Sequence, residues 1–106
     1  MAWDNKGNSL GNLGKYDEAI TAFDKAIEIN SKDSLAWTGK GLALNDLNKP
    51  DEAIKAYDKA IEVDPQNSMA WYYKGDALKD LNKSDEATKA FNKAIEINPQ
   101  IKSMEQ

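Results

Sequence analysis

The segment DEAIKAYDKAIEVDP, residues 51–65, recurs with small changes as DEAITAFDKAIEINS at 17–31 and as DEATKAFNKAIEINP at 85–99, each copy 34 residues after the one before. A period of this size constrains the fold more than any other feature of the chain. One unit of about 34 residues cannot bury its own apolar face, and stacked copies cover one another, so the repetition predicts a stacked-repeat architecture.

The rest of the unit repeats too. Trp3, Trp37 and Trp71 share one phase, followed by Gly7, Gly41 and Gly75, by Leu10, Leu44 and Leu78, and by Leu13, Leu47 and Leu81. After a polar break come Ala19, Ala53 and Ala87, then Phe23, Tyr57 and Phe91, then Ala26, Ala60 and Ala94, each with isoleucine directly behind it. Apolar residues three and four apart in each half describe amphipathic helices, and the strict alternation of a strand is absent.

The breaks carry helix-end chemistry. Pro50 suits a first helical turn, where its missing N–H is harmless, and Ser84 suits an N-cap. The acidic pairs Asp17–Glu18, Asp51–Glu52 and Asp85–Glu86 lie where the helix dipole favours negative charge. Asp33 and Asn67 are expected to cap the next first helix, and Pro65 and Pro99 to stop the second helix of their units. Each unit therefore reads as helix, tight turn, helix. Glycine in mid-helix costs about 0.5–1 kcal/mol relative to alanine. Its return at one phase predicts that Gly7, Gly41 and Gly75 mark a helix–helix approach too close for a side chain. The tryptophans are expected in the inter-helix core.

The combined pattern resembles the tetratricopeptide repeat, W-x₂-L-G-x₂-Y…A-x₃-F…P. The middle unit reads Trp37-x₂-Lys40-Gly41-x₂-Leu44, then Ala53-x₃-Tyr57, then Pro65, and the resemblance runs from residue 1 to about 101. It implies an all-α, right-handed superhelical solenoid in a single domain, with repeats 1–33, 34–67 and 68–101 and a tail at 102–106. Lysine replaces the usual leucine at Lys6, Lys40 and Lys74, leucine replaces the tyrosine, and Ser31 stands in for the first proline. The lysines suggest either a stripe less buried than usual or stems that snorkel.

Composition narrows the function. Hydrophobic content of 41% suits a folded chain, and a net charge of −4 disfavours nucleic acid and anionic lipid. All 14 basic residues are lysine, so no arginine fork is available for phosphate or carboxylate. Without cysteine or histidine the chain lacks disulfides, thiol chemistry and the usual proton shuttle and metal ligand. No bilayer-length apolar run and no leader pattern occur, and the expectation is a soluble cytoplasmic protein. The glycines of GNSLGNLGKY, residues 7–16, are wrongly spaced for a phosphate loop, with Tyr16 where a magnesium-binding hydroxyl belongs. Gly7-x₃-Gly11 lies in a polar setting, unlike a membrane dimer motif, and DNKGNS lacks the acidic spacing of a calcium loop. Neither catalysis nor a cofactor is expected. The carboxylates look like surface charges, with Asp51–Lys55 and Asp85–Lys89 paired along the helix.

In the family it resembles, the first helices line a concave groove that takes a peptide or a partner helix. Mapped onto this chain, the groove phases are Asp4, Asn5, Asn8 and Asn12 in the first unit. The second contributes Leu35, Thr38, Gly39, Leu42, Asn45 and Asp46, and the third Met69, Tyr72, Tyr73, Asp76, Lys79 and Asp80. These positions vary most between units, while the core phases hardly change. The apolar and aromatic set Leu35, Leu42, Met69, Tyr72 and Tyr73 points to binding. One branch of the family grips the acidic C-terminus of heat-shock chaperones with a lysine/asparagine/arginine clamp. Its positions fall on Asp4, Asn8, Gly39, Met69 and Tyr73, of which only Asn8 fits. A neutral, apolar or mildly basic segment is therefore the expected partner. The alternative is a structural self-assembly unit, an excised or designed repeat array. On either reading the final flank would expose parts of Phe91, Ile95 and Ile97, with Ile101 and Met104 nearby, and uncapped ends would self-associate, head-to-tail or by two-fold pairing of the C-terminal ends.

Overall fold

Helix, turn and helix alternate as the apolar spacing requires. The structure is a computed structural model that describes residues 3–105, with side chains through Lys102. The elements are α1 (Trp3–Asn12), α2 (Tyr16–Ile29), α3 (Ser34–Asp46), α4 (Pro50–Val63), α5 (Ser68–Asp80) and α6 (Ser84–Ile97). A 3₁₀ segment, Pro99–Glu105, follows. No strand occurs among the described residues.

The turn inside each hairpin is the same device three times. Gly14, Asn48 and Asn82 carry positive φ values of 78°, 64° and 62°. The next residue's N–H reaches back to the carbonyl of Leu10, Leu44 or Leu78 at 2.9 Å, which closes a Schellman-type end. Only glycine and asparagine adopt that left-handed geometry cheaply. The lysine that closes the turn then serves as N-cap of the second helix. Pro50 accordingly occupies the first helical turn, as expected, and Ser84 does too. Ser84 is therefore not the cap, because the turn already hands the helix start to Lys83. Between hairpins Asp33 and Asn67 are the caps, accepting from Ala36 N–H and Ala70 N–H at 3.1 Å.

Helices α3 and α5 each pack on their own second helix and on the one before it, and α1 packs on α2. Contacts also join α1 to α3 and α3 to α5, whereas among the described residues none joins α2 to α4 or α4 to α6. The odd-numbered helices are thus drawn together on one side, which makes that side concave. The body measures 36 × 25 × 22 Å.

Aromatic wedges hold the stack. A Cβ on Gly41 would fall 2.4 Å from the Tyr57 ring, and one on Gly7 or Gly75 would fall 2.7 Å from Phe23 or Phe91. The predicted close approach is therefore real at all three positions. Gly39 is equally tight, since a Cβ there would meet Phe23 at 2.3 Å. It is a packing contact as well as groove wall, because Phe23 is inserted between α1 and α3. At the next junction Tyr73 holds the place of Gly39 and stacks on Tyr57, with centroids 6.2 Å apart.

The tryptophans depart from the core expectation. Trp3 is 36% exposed, and Trp37 and Trp71 are half-buried beside the core. The indole N–H groups of Trp37 and Trp71 donate to the carbonyls of Ser31 and Pro65 at 3.0 and 3.2 Å. The lysine stripe lies over these rings: Lys6, Lys40 and Lys74 place their ammonium groups 5.0, 5.7 and 5.6 Å from the ring centres. Lys40 and Lys74 also reach the preceding hairpin, pairing with Asp24 at 2.8 Å and Asp58 at 2.6 Å. The stems snorkel as expected, and the heads tie one repeat to the next. The expected Asp51–Lys55 and Asp85–Lys89 pairs do not form. The pairs along the helices are Lys25–Glu28, Lys59–Glu62 and Lys93–Glu96, at three-residue spacing.

The C-terminal flank is also less open than the sequence suggests. The 3₁₀ segment folds onto α6 and leaves Ile101 only 1% exposed. Phe91, Ile95 and Ile97 are half-buried, and the Met104 side chain lies outside the described ones.

Candidate functional site

The concave face is built from one side of α1, α3 and α5. Between α1 and α3 opens a cleft of about 120 Å³ lined by Asn8, Asn12, Gly39, Leu42 and Asp46, together with Gly7, Gly11, Tyr16, Phe23 and Ala43. The first five are groove positions read from the sequence, contributed by two different repeats. The other five were not read as groove residues. Phe23 fills the space beside Gly7 and Gly39, and Gly11 is the lining glycine whose missing Cβ leaves the cleft open. A Cβ placed on Gly11 would have no neighbour within 4 Å, so the cleft is open there.

Between α3 and α5 the face is aromatic and acidic. Tyr73 meets Tyr72 edge-on at 5.7 Å, and Tyr72 contacts Phe91 at 5.4 Å, which continues a ladder from Tyr57 to the last helix. The Asn45 side-chain amide approaches Asp80 at 3.5 Å across the two helices. Leu35 is 71% exposed at the start of α3, and Met69 is half-buried at the same level of α5. Apolar residues thus gather near the helix starts. Asp46, Lys79 and Asp80 lie at the helix ends. Asn5 is exposed on α1, and Asp76 is half-buried on α5.

Two groove positions belong to the stacking contact instead. Thr38 is 6% exposed, donates to the Ser34 carbonyl at 2.9 Å and accepts from the Asn67 amide at 3.0 Å. Asn67 also donates to Ser34 Oγ at 2.7 Å. At the equivalent place in the first junction Asp4 meets Asp33, and its Oδ1 is buried without a partner. Burial, then a carboxyl–carboxylate hydrogen bond to Asp33 and the charge of Asp33, push Asp4 up to about 6. Among the described residues no helix is long and apolar enough to cross a membrane, and no carboxylate group is arranged to hold a metal ion.

The sequence model for the tetratricopeptide repeat matches residues 5–60 and 40–100. No curated protein matches the chain. Among solved structures, the second such domain of Spaghetti (RPAP3), bound to the HSP90 peptide SRMEEVD, superposes with a TM-score of 0.86 at 27% identity, over 91% of this chain and 89% of that one. The second domain of human RPAP3, in complex with the HSP70 peptide SGPTIEEVD, gives 0.87 at 28% identity, over 92% and 82%. The type III secretion translocator chaperone SycD of Yersinia enterocolitica shares the fold, with a TM-score of 0.90 at 20% identity over 97% of this chain and 80% of that one.

Proposed function

The chain belongs to the tetratricopeptide repeat family, and from that premise we propose that it is a binding module that takes a peptide segment of a partner protein in its concave groove. The observation that carries this reading is the α1–α3 cleft, where Asn8, Asn12, Leu42 and Asp46 converge on a depression left open at Gly11. An apolar ligand side chain would cover Leu42 and the edge of Phe23. The asparagines would meet the ligand backbone, since their amides both donate and accept. Two solved relatives hold chaperone peptides, HSP90 SRMEEVD and HSP70 SGPTIEEVD. Those peptides end in acidic residues, whereas this face carries Asp46, Asp76 and Asp80 against Lys79. The ligand of this chain is therefore neutral, apolar or basic, and not an acidic tail.

The test is a panel of fluorescent peptides, neutral, basic and acidic, titrated against the chain. Leu42→Asn should weaken any binder by about 1–2 kcal/mol, as expected for an apolar contact at an interface centre. Lys55→Ala with Lys89→Ala, on the second helices, should leave binding unchanged. Equal losses from both at intact fold, or tightest binding by the acidic peptides, would count against this reading.

A further inference from the structure

The junction between α3 and α5 has an unexplained group. Tyr57 is 0% exposed, and its hydroxyl is buried with no hydrogen-bond partner among the described residues. The equivalent wedges are Phe23 and Phe91, so packing alone does not require the hydroxyl. The Tyr57 ring is packed among apolar residues, and the charged groups that act on it are carboxylates. Burial, then the neighbouring Tyr73 phenol and the carboxylates of Asp46, Asp76 and Asp80, raise its pKa. None of these carboxylates takes its proton in a hydrogen bond.

The carboxylates are also placed against helix stability. Asp46 and Asp80 are the last residues of α3 and α5, where the helix dipole is negative and cations are favoured. The last turn of α3 has no basic residue, and that of α5 has only Lys79. Within these last turns, two terminal carboxylates and the nearby Asp76 face one exposed lysine, with Lys49 and Lys83 following in the turns beyond. A field of this kind raises the local concentration of cationic groups. Tyr73 adds a half-buried aromatic ring, the surface over which an ammonium or guanidinium settles.

We propose that the ends of α3 and α5 form a subsite for one basic side chain of the bound peptide, a lysine or arginine, anchored by Asp46 and Asp80 beside the Tyr73 ring. Asp76 is engaged within the protein and contributes charge. The donors of the incoming cation satisfy the two terminal carboxylates. With a small shift of Tyr73 they also reach the unpartnered Tyr57 oxygen. Asp46 lines the α1–α3 cleft as well, so the basic residue lies next to the ligand's apolar one. This inference rests on the groove reading above and adds the chemistry that selects the ligand.

The experiment is a selection from a random decapeptide display library on the intact chain at low salt, followed by synthesis of the consensus peptide. The expected consensus has a lysine or arginine fixed beside an apolar residue. Asp46→Asn with Asp80→Asn should weaken that peptide about tenfold. The same variant should bind the peptide's glutamine analogue as well as the original chain does, so that the losses are coupled. Thermal unfolding should show the variant at least as stable as the original chain, since two unfavourable helix-end charges are gone. Binders without a fixed basic residue, or losses that simply add, overturn the subsite and leave the groove reading standing. A library that yields no binder overturns both.

Discussion

Phe23 is gripped between two glycines, and this makes the cost of a methyl group position-dependent. Gly39→Ala and Gly41→Ala each push a Cβ against a ring held by two helices, and overpacking of that kind typically costs about 1–3 kcal/mol. Gly11→Ala, in the last turn of α1 and facing open space, should stabilise by up to about 0.5–1 kcal/mol. Urea titration of the three variants checks the order. It is the reverse of what periodicity alone suggests for Gly39, which has the groove phase in the repeat and yet meets a ring from the preceding hairpin. Asp4 is a second case. Its folded pKa of about 6 lies above the ordinary 3.8, so between these values the folded state holds more protons than the unfolded one. Stability from this group therefore falls as pH rises from 3.8 to about 6, and the full penalty is present above that. Asp4→Asn should stabilise the chain near neutral pH and flatten this part of the pH profile. Melting curves across that range would refute the assignment if both proteins kept the same slope.

At the scale of helices and turns, the chain was almost wholly legible. Apolar spacing gave six helices, Asp33 and Asn67 gave two caps, and Pro50 gave a first turn, because each is local chemistry repeated in phase. Ser84 was misread for a local reason as well: the Schellman turn at Asn82 makes the following residue, Lys83, the cap, which no single-residue preference reveals. The tryptophans lie at the edge of the core clusters, and the lysines over Trp37 and Trp71 have their Asp24 and Asp58 partners on the neighbouring hairpin, a tertiary arrangement that local spacing does not reveal. The cleft was half legible. Asn8, Asn12, Gly39, Leu42 and Asp46 are groove phases implied by the family resemblance, while its remaining walls depend on where rings from second helices emerge. Asn67 is the element-level test, because it both caps α5 and bonds Ser34 and Thr38 across the stack. Asn67→Ala should cost about 1–2 kcal/mol, the upper part of the range for a lost cap. Asn67→Asp keeps the cap but presents acceptors to two hydroxyl oxygens, and should recover only part of the loss. Full recovery by Asp in chemical denaturation would mean that the cross-repeat bonds contribute nothing.

For the whole molecule the question is what closes the last hairpin. The Lys–Asp ties run from each second helix to the next first helix, Asp24 to Lys40 and Asp58 to Lys74. At the corresponding place on α6 the sequence has Asn92, so this flank offers no carboxylate to the Lys6 of another copy. Head-to-tail stacking would therefore lack the tie that joins the repeats internally. The 3₁₀ segment takes up part of the covering role instead, with Ile101 buried at 1% exposure against α6. Two consequences separate this view from association through open ends. Ile101→Ala should cost about 2 kcal/mol or more, as for a buried isoleucine that leaves a cavity. Ile101→Asp should also unseat the segment, since a carboxylate cannot stay unpaired in that site. Parts of Phe91, Ile95 and Ile97 would then face water, and an apolar patch so exposed tends to find a partner. Sedimentation should show the original chain monomeric at concentrations where Ile101→Asp self-associates. If the original chain associates as strongly as the variant, the segment is not what keeps copies apart, and the contact must be sought at the Trp3 end, where the indole is already exposed.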